Sequence, residues 1–100
     1  MCLHAPAKGD LGVNELRSAA GAWLRQLREA RGLTQRELAD LVGIRFYTFI
    51  SALEAGRGRI APGRYGDWAK ALNMDPQSFA RTLIRYYEPS IHNQLFAGAA

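Results

Sequence analysis

Apolar residues recur every three or four positions over most of the chain, a spacing that places them on one face of an α-helix. The first stripe predicts a helix from about Ser18 to Arg31 that Gly32 ends, with Asn14 as the alternative cap of a longer helix. Its inward residues would be Ala20, Trp23, Leu24, Leu27 and Ala30. No segment alternates with period two for long enough to predict a strand, so the pattern predicts an all-α chain.

A strong start signal opens the second helix. Thr34 is followed three residues later by Glu37, which is the reciprocal capping-box pattern. This helix would bury Leu38, Ala39 and Val42 and would end at Gly43, since glycine readily adopts the left-handed conformation that terminates helices.

A third helix is predicted from about Phe46 to Ala55, closed by Gly56. Phe46, Ile50 and Leu53 share one face and are expected to point inward, and core packing is also the favoured interpretation of Phe49. The opposite face carries Tyr47, Thr48, Ser51 and Ala55.

Two more helices complete the predicted fold. Pro62 can open the fourth, whose inward stripe is Tyr65, Trp68 and Leu72. Asp75 and Pro76 form a good cap and first residue for the fifth, which Pro89 ends. The domain organisation expected from this pattern is a mobile arm over residues 1–13, a five-helix domain over 14–88 and a tail over 89–100.

Composition narrows the class of partner. The chain has 100 residues, enough for one domain but not for a second, ligand-sensing one, and it carries a net charge of +4. Eleven of its thirteen basic residues are arginine, and nine of these lie between Arg17 and Arg64 with only four acids. Guanidinium groups can grip phosphate or a guanine edge with two parallel bonds, although an arginine-biased genome would give the same excess.

Several other classes of protein are disfavoured. The single cysteine, Cys2, allows no intramolecular disulfide, and no apolar run is long enough to cross a membrane, so a cytoplasmic or nucleoid location is expected. Cys2 and His4 are too few ligands for a metal site, and no cofactor is expected. The only two histidines, His4 and His92, lie at opposite ends and no paired carboxylates stand out, so we do not expect an enzyme.

The second and third helices, joined by a short turn at Gly43, have the shape that lays a recognition helix into the major groove of DNA. A small residue at Ala39 lets the two helix axes approach. The segments LRQLREARGLTQRELADLVGI and FISALEAGRG resemble the phage-repressor and Cro-like, or Xre-type, helix-turn-helix regulators over roughly residues 17–87. The resemblance implies a lambda-repressor-like domain.

The resemblance also implies residue roles. Gln35 would contact a phosphate and support the recognition helix, and Arg28 would pair with Glu54 inside the domain. The segment from Gly43 to Tyr47 is one residue longer than the usual turn, which leaves the register of the recognition helix open. Anchored on Ile50, the base-contacting positions fall on Tyr47, Thr48, Ser51 and Ala52, with Arg45 and Phe46 in the turn.

Three arginines follow this unit along the chain. Arg57, Arg59 and Arg64 follow the recognition helix and are interpreted as phosphate contacts, with a merely solvated loop as the alternative. Besides Arg64, the expected DNA-contacting residues are Gln35, Arg36, Arg45, Phe46, Tyr47, Thr48, Ser51, Ala52, Arg57 and Arg59.

These features predict a sequence-specific regulator that binds double-stranded DNA as a homodimer on a near-palindromic site. The expected dimer surface is Ile84, Tyr87, Ile91, Leu95 and Phe96, with a wide intramolecular core face as the equal alternative. A second hypothesis is an antitoxin or adaptor-like module that binds a partner protein through Leu41 and the apolar tail. Binding of RNA or single strands is a minor option, because the aromatic residues lie on helical core stripes.

Overall fold

The computed structural model describes residues 12–96, which form six α-helices and one short 3-10 helix and no strand within that range. The α-helices are α1 (Val13–Ala30), α2 (Gln35–Leu41), α3 (Thr48–Glu54), α4 (Tyr65–Ala71), α5 (Pro76–Tyr87) and α6 (Pro89–Leu95), and the 3-10 helix is Pro62–Arg64. The predicted all-α class is confirmed, with one helix more than predicted. Residues 1–11, which include Cys2, His4 and most of the predicted arm, and residues 97–100 lie outside the described range.

Helix α1 starts at Val13, earlier than the predicted start at Ser18. Its N-cap is Gly12, whose carbonyl oxygen accepts a hydrogen bond from Leu16 N at 3.0 Å, so both Ser18 and Asn14 were wrong as caps. The early start has a physical basis, because no proline or glycine interrupts residues 13–18 and Glu15 places an acid at the positive end of the helix dipole.

The predicted helix ends at Gly32, Gly43 and Gly56 are confirmed, and all three residues have positive φ. At Gly43 (φ +73°) the chain closes α2 with two bonds, Gly43 N to Asp40 O at 3.2 Å and Ile44 N to Ala39 O at 2.8 Å. This pair of bonds is the Schellman arrangement, which satisfies the last carbonyls of a helix. It also fixes the direction in which the chain leaves α2 toward α3.

Side chains from α1 to α5 form the core. The predicted inward residues of α2 and α4 are confirmed as buried, and in α1 Leu24 is buried whereas Ala30 is exposed. In α5, Phe79 and Leu83 are buried and Tyr86 is half-buried. Trp23 is partly buried and its ring stacks on that of Phe79 at 5.5 Å, which joins α1 to α5. The fully buried large side chains are Leu24, Leu38, Ile50, Ile60, Trp68, Phe79 and Leu83.

The predicted start of α3 was wrong, and so was the burial of two phenylalanines. The helix starts at Thr48, so Phe46 precedes its first turn and does not share the inward face of Ile50. Phe46 is 66% exposed and Phe49 is 44% exposed. Ile50 and Leu53 are the two buried residues of α3, and both phenyl rings lie at the surface.

Pro89 ends α5 as predicted, but it also opens α6 as the first helical residue. Glu88 lies between the two helices with a non-helical backbone, and α6 then packs against α5. The guanidinium of Arg81 on α5 lies 4.8 Å from the ring centre of Phe96, just after α6. Part of the predicted tail is therefore helical and attached to the domain.

Candidate functional site

Helix α1 holds the C-terminal end of α3 through close backbone contact. A Cβ atom on Gly21 would lie 2.5 Å from the carbonyl oxygens of Leu53 and Glu54, and one on Gly56 would lie 2.8 Å from Ser18 Oγ. Only glycine allows this approach at Gly21 without a backbone shift. Sequence reasoning missed Gly21, although a glycine inside a long amphipathic helix is a signal of close packing.

Three helices meet at one carboxylate. Arg28 on α1 donates to both oxygens of Glu54 on α3, with Nε to Oε2 at 2.6 Å and Nη2 to Oε1 at 3.0 Å. Gln35, the first residue of α2, donates from Nε2 to Oε1 of Glu54 at 3.1 Å. Arg28 also donates to Leu33 O at 2.7 Å, and its side chain is only 11% exposed. Hydrogen bonding to Glu54 raises the pKa of Arg28 against the opposing effect of its burial.

The capping box predicted at Thr34 is confirmed and sets the position of Gln35. Thr34 Oγ1 accepts from Glu37 N at 3.1 Å, and Glu37 Oε1 accepts from Thr34 N at 2.8 Å. These bonds fix the first turn of α2. The amide nitrogen of Gln35 carries two hydrogens, so its bond to Glu54 leaves one for a second acceptor.

Four of the predicted DNA-contacting residues lie together where α2 and α3 begin. Gln35 and Arg36 line one shallow depression with Tyr47, and Arg36 and Arg45 line the adjacent one with the same tyrosine. The guanidinium of Arg36 lies 4.5 Å from the ring centre of Tyr47, and that of Arg45 lies 5.5 Å from the ring centre of Phe46. The surface thus combines two cations, an amide and a phenol with the carboxylate of Asp40.

The predicted base-contacting residues of α3 differ in exposure. Tyr47 and Thr48 are exposed at the N-terminal end of α3, whereas Ser51 and Ala52 are half-buried. The long turn places Arg45 and Phe46 at the same end, and both are exposed. The exposed groups therefore concentrate at the start of the helix and in the turn before it.

The arginines that follow α3 have different surroundings. Arg57 is exposed. Arg59 pairs with Glu88 at 2.9 Å, and its guanidinium lies 4.9 Å from the ring centre of Tyr87. Arg64 donates to the carbonyl of Val42 and to the carboxylate of Asp67. The guanidinium of Arg59 is therefore already paired with Glu88 within the protein, and hydrogen bonding to that carboxylate raises the pKa of Arg59.

The residues expected at a dimer surface fall into two groups. Ile84 and Tyr87 pack against the core of the same molecule, and the hydroxyl oxygen of Tyr87 accepts from Ile60 N at 3.3 Å. Ile91 and Leu95 on α6 are 46% and 59% exposed. The half-buried ring of Phe96 lies against His92 and Arg81.

Metal-ligand clusters and membrane-spanning helices are both absent from residues 12–96. No group of three His, Cys, Asp or Glu side chains there could hold a metal ion. None of the helices between residues 12 and 96 is both long enough and apolar enough to cross a membrane.

The comparison with protein families decides the class. The model of a family described as a helix-turn-helix domain matches residues 19–82, which is more than half of the chain. The chain belongs to the helix-turn-helix domain family. The Xre-type resemblance seen in the LTQRELA and LEAG segments is confirmed.

Two relatives of this helix-turn-helix chain illustrate the family. It is 33% identical over 85 residues to an uncharacterized HTH-type transcriptional regulator, y4wC, of Sinorhizobium fredii. That match takes in 82% of this chain but 59% of the relative, so the chain spans well under two thirds of that protein. The crystal structure of the restriction-modification controller protein C.AhdI from Aeromonas hydrophila superimposes with a TM-score of 0.56 at 31% identity, covering 65% of this chain and 96% of that one.

Proposed function

We propose that this protein binds double-stranded DNA in a sequence-specific manner, as a homodimer on a near-palindromic site, with α3 and the turn before it in the major groove. The observation that carries the proposal is the single surface formed by Gln35, Arg36, Arg45 and Tyr47 beside the exposed Thr48. In helix-turn-helix proteins the N-terminal residues of the second helix contact base edges. Here that end is the one that exposes polar groups.

Positioning and specificity would come from different residues. Gln35, Arg36 and the exposed Arg57 offer an amide and two guanidiniums for phosphate oxygens, which fix orientation without sequence information. Arg45, in the turn before α3, can offer its guanidinium fork to guanine, and the Thr48 methyl can contact a thymine methyl. The half-buried Ser51 and Ala52 would contribute shape more than hydrogen bonds.

The experiment measures binding of labelled duplexes by fluorescence anisotropy over a range of salt concentrations. Arg36→Gln should weaken binding to every duplex and lower the salt slope by about 1, the value for one lost phosphate contact. Thr48→Ala should instead change the preferred base. The matched control is Arg25→Gln, which removes an equal charge from an exposed ion pair on α1. Equal effects of Arg36→Gln and Arg25→Gln would contradict this placement of the DNA.

The homodimer would form through α6. Ile91 and Leu95 are four residues apart, so they share one face of the helix, and both are exposed in the single chain. Sedimentation velocity should show a weaker dimer for the double variant Ile91→Ser/Leu95→Ser and an unchanged one for Val13→Ser, which alters an exposed apolar residue on α1. An unchanged dimer in the double variant would remove α6 from the interface.

Binding of a partner protein is a second candidate function, and one observation favours it. Leu41 is 55% exposed at the end of α2, and it lines a depression together with Arg31, Asp67, Lys70 and Ala71. A partner protein would cover this leucine and pair with the charged side chains around it. A small protein that co-purifies with the wild type but not with Leu41→Ser would support this function, provided that DNA binding is equal in both.

A further inference from the structure

A cavity of about 460 Å³ opens beside α3, between the turn that precedes this helix and the start of α4. Its walls are largely apolar and are formed by Ile44, Phe46, Phe49, Ile60 and Trp68. Ile60 and Trp68 are buried at its base, whereas the two phenylalanines are the exposed rings of the α3 region. Cavities that hold small molecules have volumes of about 300 to 1,000 Å³ and mostly apolar walls with a few polar groups.

The polar groups of this cavity are all cationic. Arg45, Arg59 and Arg64 line it, and no aspartate or glutamate between residues 12 and 96 does. Arg59 and Arg64 are held by Glu88 and Asp67, which lie outside the cavity lining. Arg45 differs from them, because it takes part in none of the ion pairs found between residues 12 and 96. The cavity therefore pairs an apolar interior with one uncompensated guanidinium.

We propose that this cavity binds a small organic carboxylate with an apolar body. The carboxylate pairs with Arg45, whose planar fork matches two carboxylate oxygens, and the apolar body lies against Phe49 and Trp68. Burial of the exposed Phe49 ring by the ligand adds a favourable hydrophobic term. An uncharged ligand of the same shape lacks the pairing with Arg45, and a cation is repelled by all three arginines.

Such a ligand is expected to oppose DNA binding, a consequence that rests on the proposed function. Arg45 and Phe46 belong both to the cavity and to the turn that is proposed to enter the major groove. A bound carboxylate occupies the Arg45 fork and places a negative charge next to the DNA phosphates. By linkage, DNA must weaken ligand binding by the same factor as the ligand weakens DNA binding.

The first test uses the protein without DNA. Octanoate and 2-naphthoate, a linear and an aromatic acid, are titrated against their uncharged amides while backbone amide signals are followed by NMR. The backbone amide signals of Ile44 and Ile60 should shift, and so should the indole signal of Trp68. At least one acid should bind about tenfold more tightly than its amide, as expected for one hydrogen bond between charged groups. If neither acid shifts these signals, or each acid binds no better than its amide, the proposal is overturned.

Variants separate the charge from the cavity. Arg45→Gln should remove the preference for acid over amide, whereas Arg25→Gln on α1 should retain it. Ala61→Phe places a ring in the cavity from an exposed lining position and should abolish binding of acid and amide alike. Amide spectra of the free variants report whether each is folded. Undiminished acid binding by both Arg45→Gln and Ala61→Phe would place the ligand elsewhere and refute the assignment.

The second test adds duplex DNA selected by the wild-type protein. The better acid should raise the Kd of the wild type for the duplex and leave that of Ala61→Phe unchanged, because that variant has no cavity to fill. If wild-type affinity for DNA is the same with the cavity occupied, the expected antagonism is wrong. A protein that binds the acid but no duplex of any sequence would overturn the proposed function, while the carboxylate site would stand.

Discussion

Gln35 donates a hydrogen bond to Glu54 at 3.1 Å, which ties the first residue of α2 to the last residue of α3. The same carboxylate oxygen accepts from Arg28 on α1. The angle between α2 and α3 therefore depends on one buried polar cluster as well as on the core. In a helix-turn-helix unit this angle sets how far the recognition helix enters the groove.

Loss of the Glu54 carboxylate should therefore strongly destabilise the folded protein. Glu54→Ala leaves Arg28 buried without its partner and is expected to lower the free energy of unfolding by roughly 3 to 5 kcal/mol. Urea denaturation followed by tryptophan fluorescence measures this loss. Glu29→Ala, which removes a carboxylate from an exposed pair, should cost under about 1 kcal/mol. Similar losses in the two variants would mean that the buried cluster does not stabilise the fold.

The close approach at Gly21 reverses the usual effect of alanine in a helix. Gly21→Ala should destabilise the protein, since the added Cβ would meet the Leu53 and Glu54 carbonyls at 2.5 Å. Gly66→Ala on α4 is the matched control, because a Cβ there meets nothing within 4 Å. It should stabilise the protein by up to about 1 kcal/mol through helix propensity. Thermal unfolding of the two variants should shift in opposite directions, and a shift in the same direction would refute the steric argument.

Glu88 is expected to restrain Arg59. Glu88→Gln removes the carboxylate that holds this guanidinium at 2.9 Å and should free it for a phosphate. The expected result is tighter binding to all duplexes, with a salt slope larger by about 1. Glu29→Gln serves as the control. It changes the net charge by the same amount, but it removes a carboxylate from an exposed ion pair on α1. Should both variants give the same salt slope, Arg59 would not contact the DNA.

We expect the protein to lose stability at alkaline pH because of the tyrosines Tyr65 and Tyr87. Burial raises the pKa of Tyr87 and also that of Tyr65, so above the ordinary value of about 10 the unfolded chain releases protons that the folded chain retains. Stability should therefore fall as the pH rises past about 10. Tyr87→Phe should lower stability at pH 8 through loss of the hydrogen bond from Ile60 N, yet flatten the alkaline decline. Urea denaturation at a series of pH values from 8 upward compares the slopes, and parallel profiles would contradict this account.

The sequence was most informative where structure depends on adjacent residues. The Thr34 and Glu37 capping box, the glycine ends of the helices and the Asp75 cap were all predictable, because each is decided within a few residues. The buried stripes followed from helical periodicity for the same reason. Pro89 shows the limit of such signals, since one residue ended α5 and also opened α6.

Apart from the Arg28 and Glu54 pair, which the family resemblance implied, features that depend on distant contacts could not be predicted. The pairing of Arg59 with Glu88 joins residues 29 positions apart, and no local pattern marks it. The exposure of Phe46 and Phe49 depends on the exact start of α3, which the long turn shifts to Thr48. The cavity beside α3 exists only because that turn, the loop at Ile60 and the first residues of α4 come together in the fold.

Selection of bound duplexes from a random pool, with wild-type protein and with Thr48→Ala at one fixed salt concentration, tests the central claim most directly. The account predicts an enriched inverted repeat for the wild type, with half-sites about one helical turn, roughly 34 Å, apart. For Thr48→Ala it predicts the same spacing with a changed base at one position of each half-site. A pool without any enriched sequence, or an identical repeat from both proteins, would contradict the placement of α3 in the major groove.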